Sequence, residues 1–166
     1  AKKPFQLVIF QGGSGETDTL KERDLFSKTI ASIINKIHES GAEAALYMIH
    51  AYVKPHRDAN SKMIEDIKKM YIDAGNKNNA LVIPVGIAFE NAYGSNPNIE
   101  LHKTFDGSHP SLLGTYLAAC VVFASITHQS PLKINYDYFN QISLEDKKFL
   151  QEVAHKTVED FFNIDL

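Results

Sequence analysis

The chain reads as an α/β domain built on a short parallel sheet. Three observations predict it. Short β-branched or aromatic runs alternate with longer amphipathic stretches of helical period, glycines sit at several of the junctions, and no repeat or linker breaks the alternation. Alternation of this kind implies helices on both faces of parallel strands, a three-layer sandwich over a single domain, residues 1–166.

Phe5 to Phe10 (FQLVIF) has the composition of a buried strand and is closed by Gly12-Gly13. Phe26, Ile30, Ile33, Ile34 and Ile37 then recur at helical spacing, and Gly41 ends that helix. Ala44 to Ile49 (AALYMI) is a second buried strand, followed by a polar loop through Pro55-His56-Arg57-Asp58. Met63, Ile64, Ile67, Met70 and Tyr71 mark a second amphipathic helix that stops near Gly75. Leu81 to Val85 is a third strand, and Gly86 to Ser108, rich in glycine, proline and asparagine, reads as a long irregular stretch. A helix from Ser111 to about Ile126 is apolar nearly all round and should be buried. Leu144 to Phe162 closes the chain as an amphipathic helix.

A chain of 166 residues with 44% hydrophobic and 22% charged residues suits one globular domain with a sizeable core. A net charge of −3 with scattered lysines gives no electrostatic footprint for nucleic acid. No apolar run reaches membrane-spanning length, and no signal peptide is present. The single cysteine, Cys120, excludes an intramolecular disulfide and a cysteine-based metal cluster, and its apolar neighbours make it a small buried hydrophobe. These features leave the cytoplasm, periplasm and secretion all open. Because the chain starts at Ala1 rather than methionine, with strand residues from Phe5, a processed or trimmed form is expected.

In a parallel sheet the working loops leave the carboxyl ends of the strands. Three segments belong to that end: Gln11 to Thr19, His50 to Asn60, and the loop bearing Asp106 and His109. In Phe105-Asp106-Gly107-Ser108-His109-Pro110 a carboxylate precedes an imidazole by three residues, and Pro110 suits the first turn of the helix that follows. A carboxylate that holds one ring nitrogen leaves the other free to take a hydroxyl proton. The bland alternative is that Asp106 caps a turn and His109 merely precedes a helix.

The surrounding block, Phe-Asp-Gly-Ser-His-Pro-Ser-Leu-Leu-Gly-Thr-Tyr-Leu-Ala-Ala, resembles the last conserved block of the SGNH (GDSL-type) hydrolases. Val-Ile-Phe-Gln-Gly-Gly-Ser, Ala-Leu-Tyr-Met and Pro-Val-Gly-Ile-Ala-Phe extend the resemblance to a bacterial branch of that superfamily, and Leu150-Gln151-Glu152-Val153-Ala154 also fits it. The resemblance implies a flavodoxin-like strand order and ester hydrolysis through a serine acyl-enzyme. In it His109 acts as general base and then acid, and Asp106 sets the tautomer of the ring. Substrates implied are acyl or acetyl esters, acetylated carbohydrates included, with no cofactor and no metal.

The departure is at the front, because no Gly-Asp-Ser or Gly-Asn-Ser occurs. Two readings of Gln11-Gly12-Gly13-Ser14 compete. In one it is the family's opening strand in altered form, and Ser14 is the nucleophile. In the other it is the middle strand, Gln11 supplies an oxyanion-binding amide, the Gly12 and Gly13 N–H groups assist, and the family's N-terminal strands lie outside this chain. Three strands alone leave an uncovered sheet edge, which makes self-association plausible. A catalytically silent binding domain is the main alternative. A metal-dependent hydrolase using His102, Asp106 and His109 is another.

The remaining candidates have ordinary readings. His50 and His56 read as solvated loop histidines, with substrate contact as the alternative. Tyr52, Phe89 and Tyr93 read as loop aromatics that pack the loop or line a pocket. His38, His128 and His155 look structural.

Overall fold

The structure is a computed structural model and describes residues 5–17 and 19–166. The chain divides into two compact units. The first runs to Ile49 and resumes over Lys62–Ile83; the second comprises His50–Ser61 and Pro84–Leu166.

The first unit is a β-α-β-α-β run. Strands β1 (Leu7–Phe10), β2 (Glu43–Tyr47) and β3 (Leu81–Ile83) form a parallel sheet in the order β1-β2-β3, with Phe10 opposite Leu46 and Leu46 opposite Val82. Ala44, Ala45 and Leu46 are all buried, as a central strand covered on both faces requires. β1 lies at an edge, and its Ile9 is 41% exposed.

Helices α1 (Leu20–Glu39) and α2 (Met63–Asn78) pack on each other and on β2. Thr19 starts α1 by accepting the N–H of Glu22 on its hydroxyl. Phe26, Ile30, Ile34 and Ile37 form the buried stripe of α1, while Ile33 sits at its rim. Gly41 takes φ +80 just beyond the helix, a conformation other residues resist. Gly75 does not stop α2. It lies inside the helix because a Cβ there would press into Val82 of β3, and the helix runs on to a left-handed Asn79.

The second unit is helical. α3 (Val85–Ser95) packs against α4 (Leu112–Thr127) and α5 (Leu144–Phe162), which pack on each other. α4 is buried over Tyr116, Leu117, Cys120, Val121 and Ala124, and its N-cap Ser111 accepts the Gly114 N–H. Cys120 is 2% exposed, and burial pushes its thiol up to about 11, so it is an inert core residue. Ser143 caps α5 through the Asp146 N–H.

Three expectations need correction here. The segment expected to be irregular from Gly86 contains α3, so Phe89 and Tyr93 are helical residues rather than loop aromatics. Its glycines and flanking prolines masked buried Val85, Ala88, Phe89 and Ala92, which follow helical spacing. The third strand accordingly ends at Ile83, and Pro84 occupies the N-cap of α3. Pro110, in turn, does not open α4. It lies before the N-cap Ser111 and forms an antiparallel bridge with His102.

Candidate active site

Asp106 and His109 sit at the tip of a closed loop in the second unit. Its stem is held by the Ser111 N–H on the Leu101 carbonyl and the Lys103 N–H on the His109 carbonyl, both 2.8 Å. Inside it the Lys103 carbonyl accepts the Gly107 N–H at 2.9 Å. Asp106 directs both of its oxygens inward. Oδ1 accepts the backbone N–H groups of Ser108 (2.8 Å) and His109 (3.0 Å), and Oδ2 faces His109 Nδ1 at 2.7 Å. The Ser108 N–H foremost, then the His109 N–H and side chain, hold the Asp106 carboxyl down to about 2. Asp106 is therefore an anion at any physiological pH. His109 presents 73% of its side chain to solvent, so Nε2 is the nitrogen available to a hydroxyl.

Gly107 makes this geometry. Its φ is +64, its carbonyl accepts the Val53 N–H at 2.9 Å, and a Cβ would collide with the Val53 carbonyl. Gly107→Ala is expected to cost about 2–4 kcal/mol, combining left-handed strain with the collision. Because the displaced loop is the one that presents Asp106, any activity that depends on the Asp106–His109 contact should fall along with the melting temperature. A thermal melt and a rate measurement on the same sample check it, and wild-type values for both would refute the claim.

Next to this loop lies a cluster that sequence reasoning did not find. His102 is 4% exposed. Its Nδ1 meets the Tyr93 hydroxyl at 2.6 Å, and its Nε2 lies 3.0 Å from both His50 Nδ1 and the Ala51 carbonyl. His50 stacks on Phe89 with ring centroids 4.5 Å apart. Burial foremost, then the neighbouring His102, lowers His50 to about 4, so it is neutral near pH 7. The reading of His50 as a solvated loop residue is thus corrected. No spacing in the sequence signals this burial, since the alternation of Ile99 and Leu101 continues at Lys103 rather than at His102. His56 stacks on Tyr52 at 3.8 Å, and its Nδ1 accepts the Asp58 N–H.

The supposed metal ligands do not converge. His102 turns both nitrogens to Tyr93, His50 and Ala51, while Asp106 is committed to His109 and its own turn. No group of three His, Cys, Asp or Glu side chains among the described residues is arranged to hold a metal ion.

In the first unit, Gln11 follows β1 with an exposed side chain. The Gly12 N–H donates to the Tyr71 hydroxyl at 3.0 Å. That amide is already taken, which corrects the expectation that it is free to bind an oxyanion. Gly12 is needed for space, since a Cβ would strike the Glu16 carboxylate. Burial raises Glu16, whose Oε2 has no partner among the described residues. The Gly13 carbonyl accepts the Glu16 N–H at 3.2 Å. Ser14 opens a short 3-10 turn, Ser14–Thr17, and its side chain lies outside the described residues.

The parallel sheet with its flanking helices defines an α/β protein of SGNH-hydrolase-like fold, as comparison with solved structures bears out. A DUF4886 family protein from Bacteroides uniformis ATCC 8492 superposes with a TM-score of 0.83 at 22% identity, over 99% of this chain and 66% of its own. A protein from Slackia heliotrinireducens, provisionally named an SGNH hydrolase, matches with a TM-score of 0.64 at 20% identity, over 75% of this chain and 67% of its own. At such identities the likeness shows the fold alone, and the chain spans 66% of the length of the first. No family model matches the chain, and no curated protein does.

Proposed function

We propose that the chain belongs to a serine-type ester hydrolase acting on acyl or acetyl esters, acetylated carbohydrates among them. The observation that carries this reading is the Asp106–His109 pair, with the carboxylate fixed by two backbone N–H groups and aimed at Nδ1. In this mechanism His109 Nε2 takes the proton of a serine hydroxyl as it attacks the ester carbonyl, and returns it to the departing alkoxide. Water, deprotonated by the same nitrogen, then releases the acid from the acyl-enzyme. Asp106 keeps the proton on Nδ1 and stabilises the imidazolium. For the segment Gln11-Gly12-Gly13-Ser14 the two competing readings carry over: Ser14 as the nucleophile, or Gln11 as an oxyanion-binding amide with the nucleophile elsewhere.

Hydrolysis of p-nitrophenyl acetate by the wild type, His109→Ala and Ser14→Ala tests this. Loss of rate in both variants assigns the nucleophile to Ser14. Loss in His109→Ala alone keeps the pair and places the nucleophile elsewhere. Wild-type protein with no activity on this or longer acyl esters would favour a silent binding domain, the reading suggested by the absent Gly-Asp-Ser.

A further inference from the structure

The connection from α4 to α5 holds a backbone outlier. Tyr138, Phe139 and Asn140 all take left-handed backbone, with φ of 55°, 57° and 62°. L-residues adopt that conformation at a cost and normally one at a time, so a run of three persists only where the surroundings impose it. They do so here. The Asp137 carboxylate accepts the Asn140 N–H at 2.9 Å, and the Asp137 carbonyl accepts the Ile142 N–H at 3.1 Å. Buried Gln151 of α5 donates to the Ile134 carbonyl at 2.7 Å and to the Tyr116 hydroxyl at 2.8 Å. That hydroxyl in turn donates to the Tyr136 carbonyl at 3.0 Å, and Lys147 Nζ donates to the Asn135 carbonyl at 3.3 Å.

The strained turn gathers three aromatic rings at the surface. Tyr136, Tyr138 and Phe139 meet edge to face with centroids 5.7–6.5 Å apart, yet all three are exposed, Phe139 to 76%. Single exposed apolar side chains are ordinary, but a fixed cluster of rings marks a binding surface. Polar groups stand among the rings. The side-chain amides of Asn135, Asn140 and Gln141 and the hydroxyls of Tyr136 and Tyr138 have no hydrogen-bond partner among the described residues. From Asn135 to Ser143 the one ionised side chain is Asp137, which Lys147 faces at 3.8 Å.

We propose that this loop is a carbohydrate-binding surface whose ligand is a neutral oligosaccharide. A pyranose has an apolar C–H face and a rim of hydroxyls. The C–H face suits the negative π-faces of the rings, while amides and phenol hydroxyls offer the rim both donors and acceptors. The segment brings no basic side chain of its own to hold an anion. Covering the rings with an apolar protein surface would leave these amides and hydroxyls without partners, which is costly. The backbone is already held in shape by Gln151, Tyr116 and Lys147, so little ordering opposes binding. Such binding needs neither Asp106 nor His109, and it goes beyond the ester-hydrolase reading.

Isothermal titration calorimetry of the wild-type chain with cellohexaose, xylohexaose and mannohexaose tests this. None of the three carries an ester, so the readout does not depend on hydrolysis. At least one is expected to bind, and Phe139→Asn is expected to weaken that binding about 10-fold or more. Asparagine tolerates left-handed backbone better than phenylalanine, so the same variant should melt at or above the wild-type temperature. Weaker binding in a protein no less stable is what a mere packing role for the ring would not produce. Absence of binding to all three sugars overturns the proposal. Wild-type affinity in Phe139→Asn, or a lowered melting temperature, does the same. Sedimentation velocity covers the protein alternative: a wild-type dimer that Phe139→Asn converts to monomer assigns the rings to self-association and overturns it as well. Each of these failures leaves the reading of Asp106 and His109 where it stood.

Discussion

Asp106→Asn is expected to lower kcat for ester hydrolysis by about 10³- to 10⁴-fold while leaving the protein folded. The reason lies in how the turn reads the two atoms of the side chain. Oδ1 accepts from the Ser108 and His109 N–H groups, and asparagine keeps an oxygen there only by turning its NH₂ toward His109 Nδ1. An NH₂ can only donate, so Nδ1 must become the acceptor and the ring proton moves to Nε2. The nitrogen that should take the hydroxyl proton is then already protonated. The opposite amide orientation sets an NH₂ against two N–H groups and costs the turn its hydrogen bonds. The orientation that keeps the turn is the favoured one, so the base is lost with little change in shape. Rate measurements and a thermal melt on the variant check the prediction; more than a tenth of the wild-type kcat would remove Asp106 from the mechanism.

The second large effect is on stability. His50 has an ordinary value of 6.5 and is lowered by burial to about 4 in the folded protein, and His102 is lowered in the same direction. Between these values the unfolded chain binds more protons than the folded one, so falling pH favours unfolding. The contribution of His50 is fully present above 6.5 and is lost progressively as pH falls toward about 4. Its slope is at most about 1.4 kcal/mol per pH unit, and half-burial of His50 reduces the total to roughly 2–3 kcal/mol. For a chain of this size that corresponds to about 5–10 °C in melting temperature between neutral pH and pH 4.5. Asp106 acts in a separate window, because its folded value of about 2 lies below its ordinary 3.8 and its contribution is lost only as pH falls through that range. Thermal melts of wild type and His50→Phe across this range check the claim. The wild type should lose stability between pH 6.5 and pH 4.5 and the variant should lose less, whereas parallel curves would show that His50 is not the group responsible.

Much of the fold is visible in the chain because one-dimensional periods carry it. The stripe of Phe26, Ile30, Ile34 and Ile37 and the apolar run of β2 state both their element type and their burial. The caps at Thr19, Ser111 and Ser143 are equally local, since each hydroxyl meets an N–H three residues on. α3 is less visible, since its glycines lower the helical propensity that Phe89 and Ala92 would otherwise announce. Its formation depends on burying those side chains against α4 and α5.

The candidate site divides the same way. Asp106 and His109 are three residues apart, so a single turn closed by Gly107 suffices to join them, and the spacing alone predicts their contact. His50 and His102 are separated by 52 positions, and nothing in the spacing of either hints that Nδ1 of one meets Nε2 of the other. Likewise the Gly12 N–H finds its partner in Tyr71, 59 positions away. Periodicity and short turns are properties of neighbouring residues, and the chain by itself placed the three strands, though not their ends, most of the helices and the Asp106–His109 contact. Which histidine is buried, what its ring nitrogens meet and which amide is already spent depend on contacts between distant segments. Only the packing of the tertiary structure decided those.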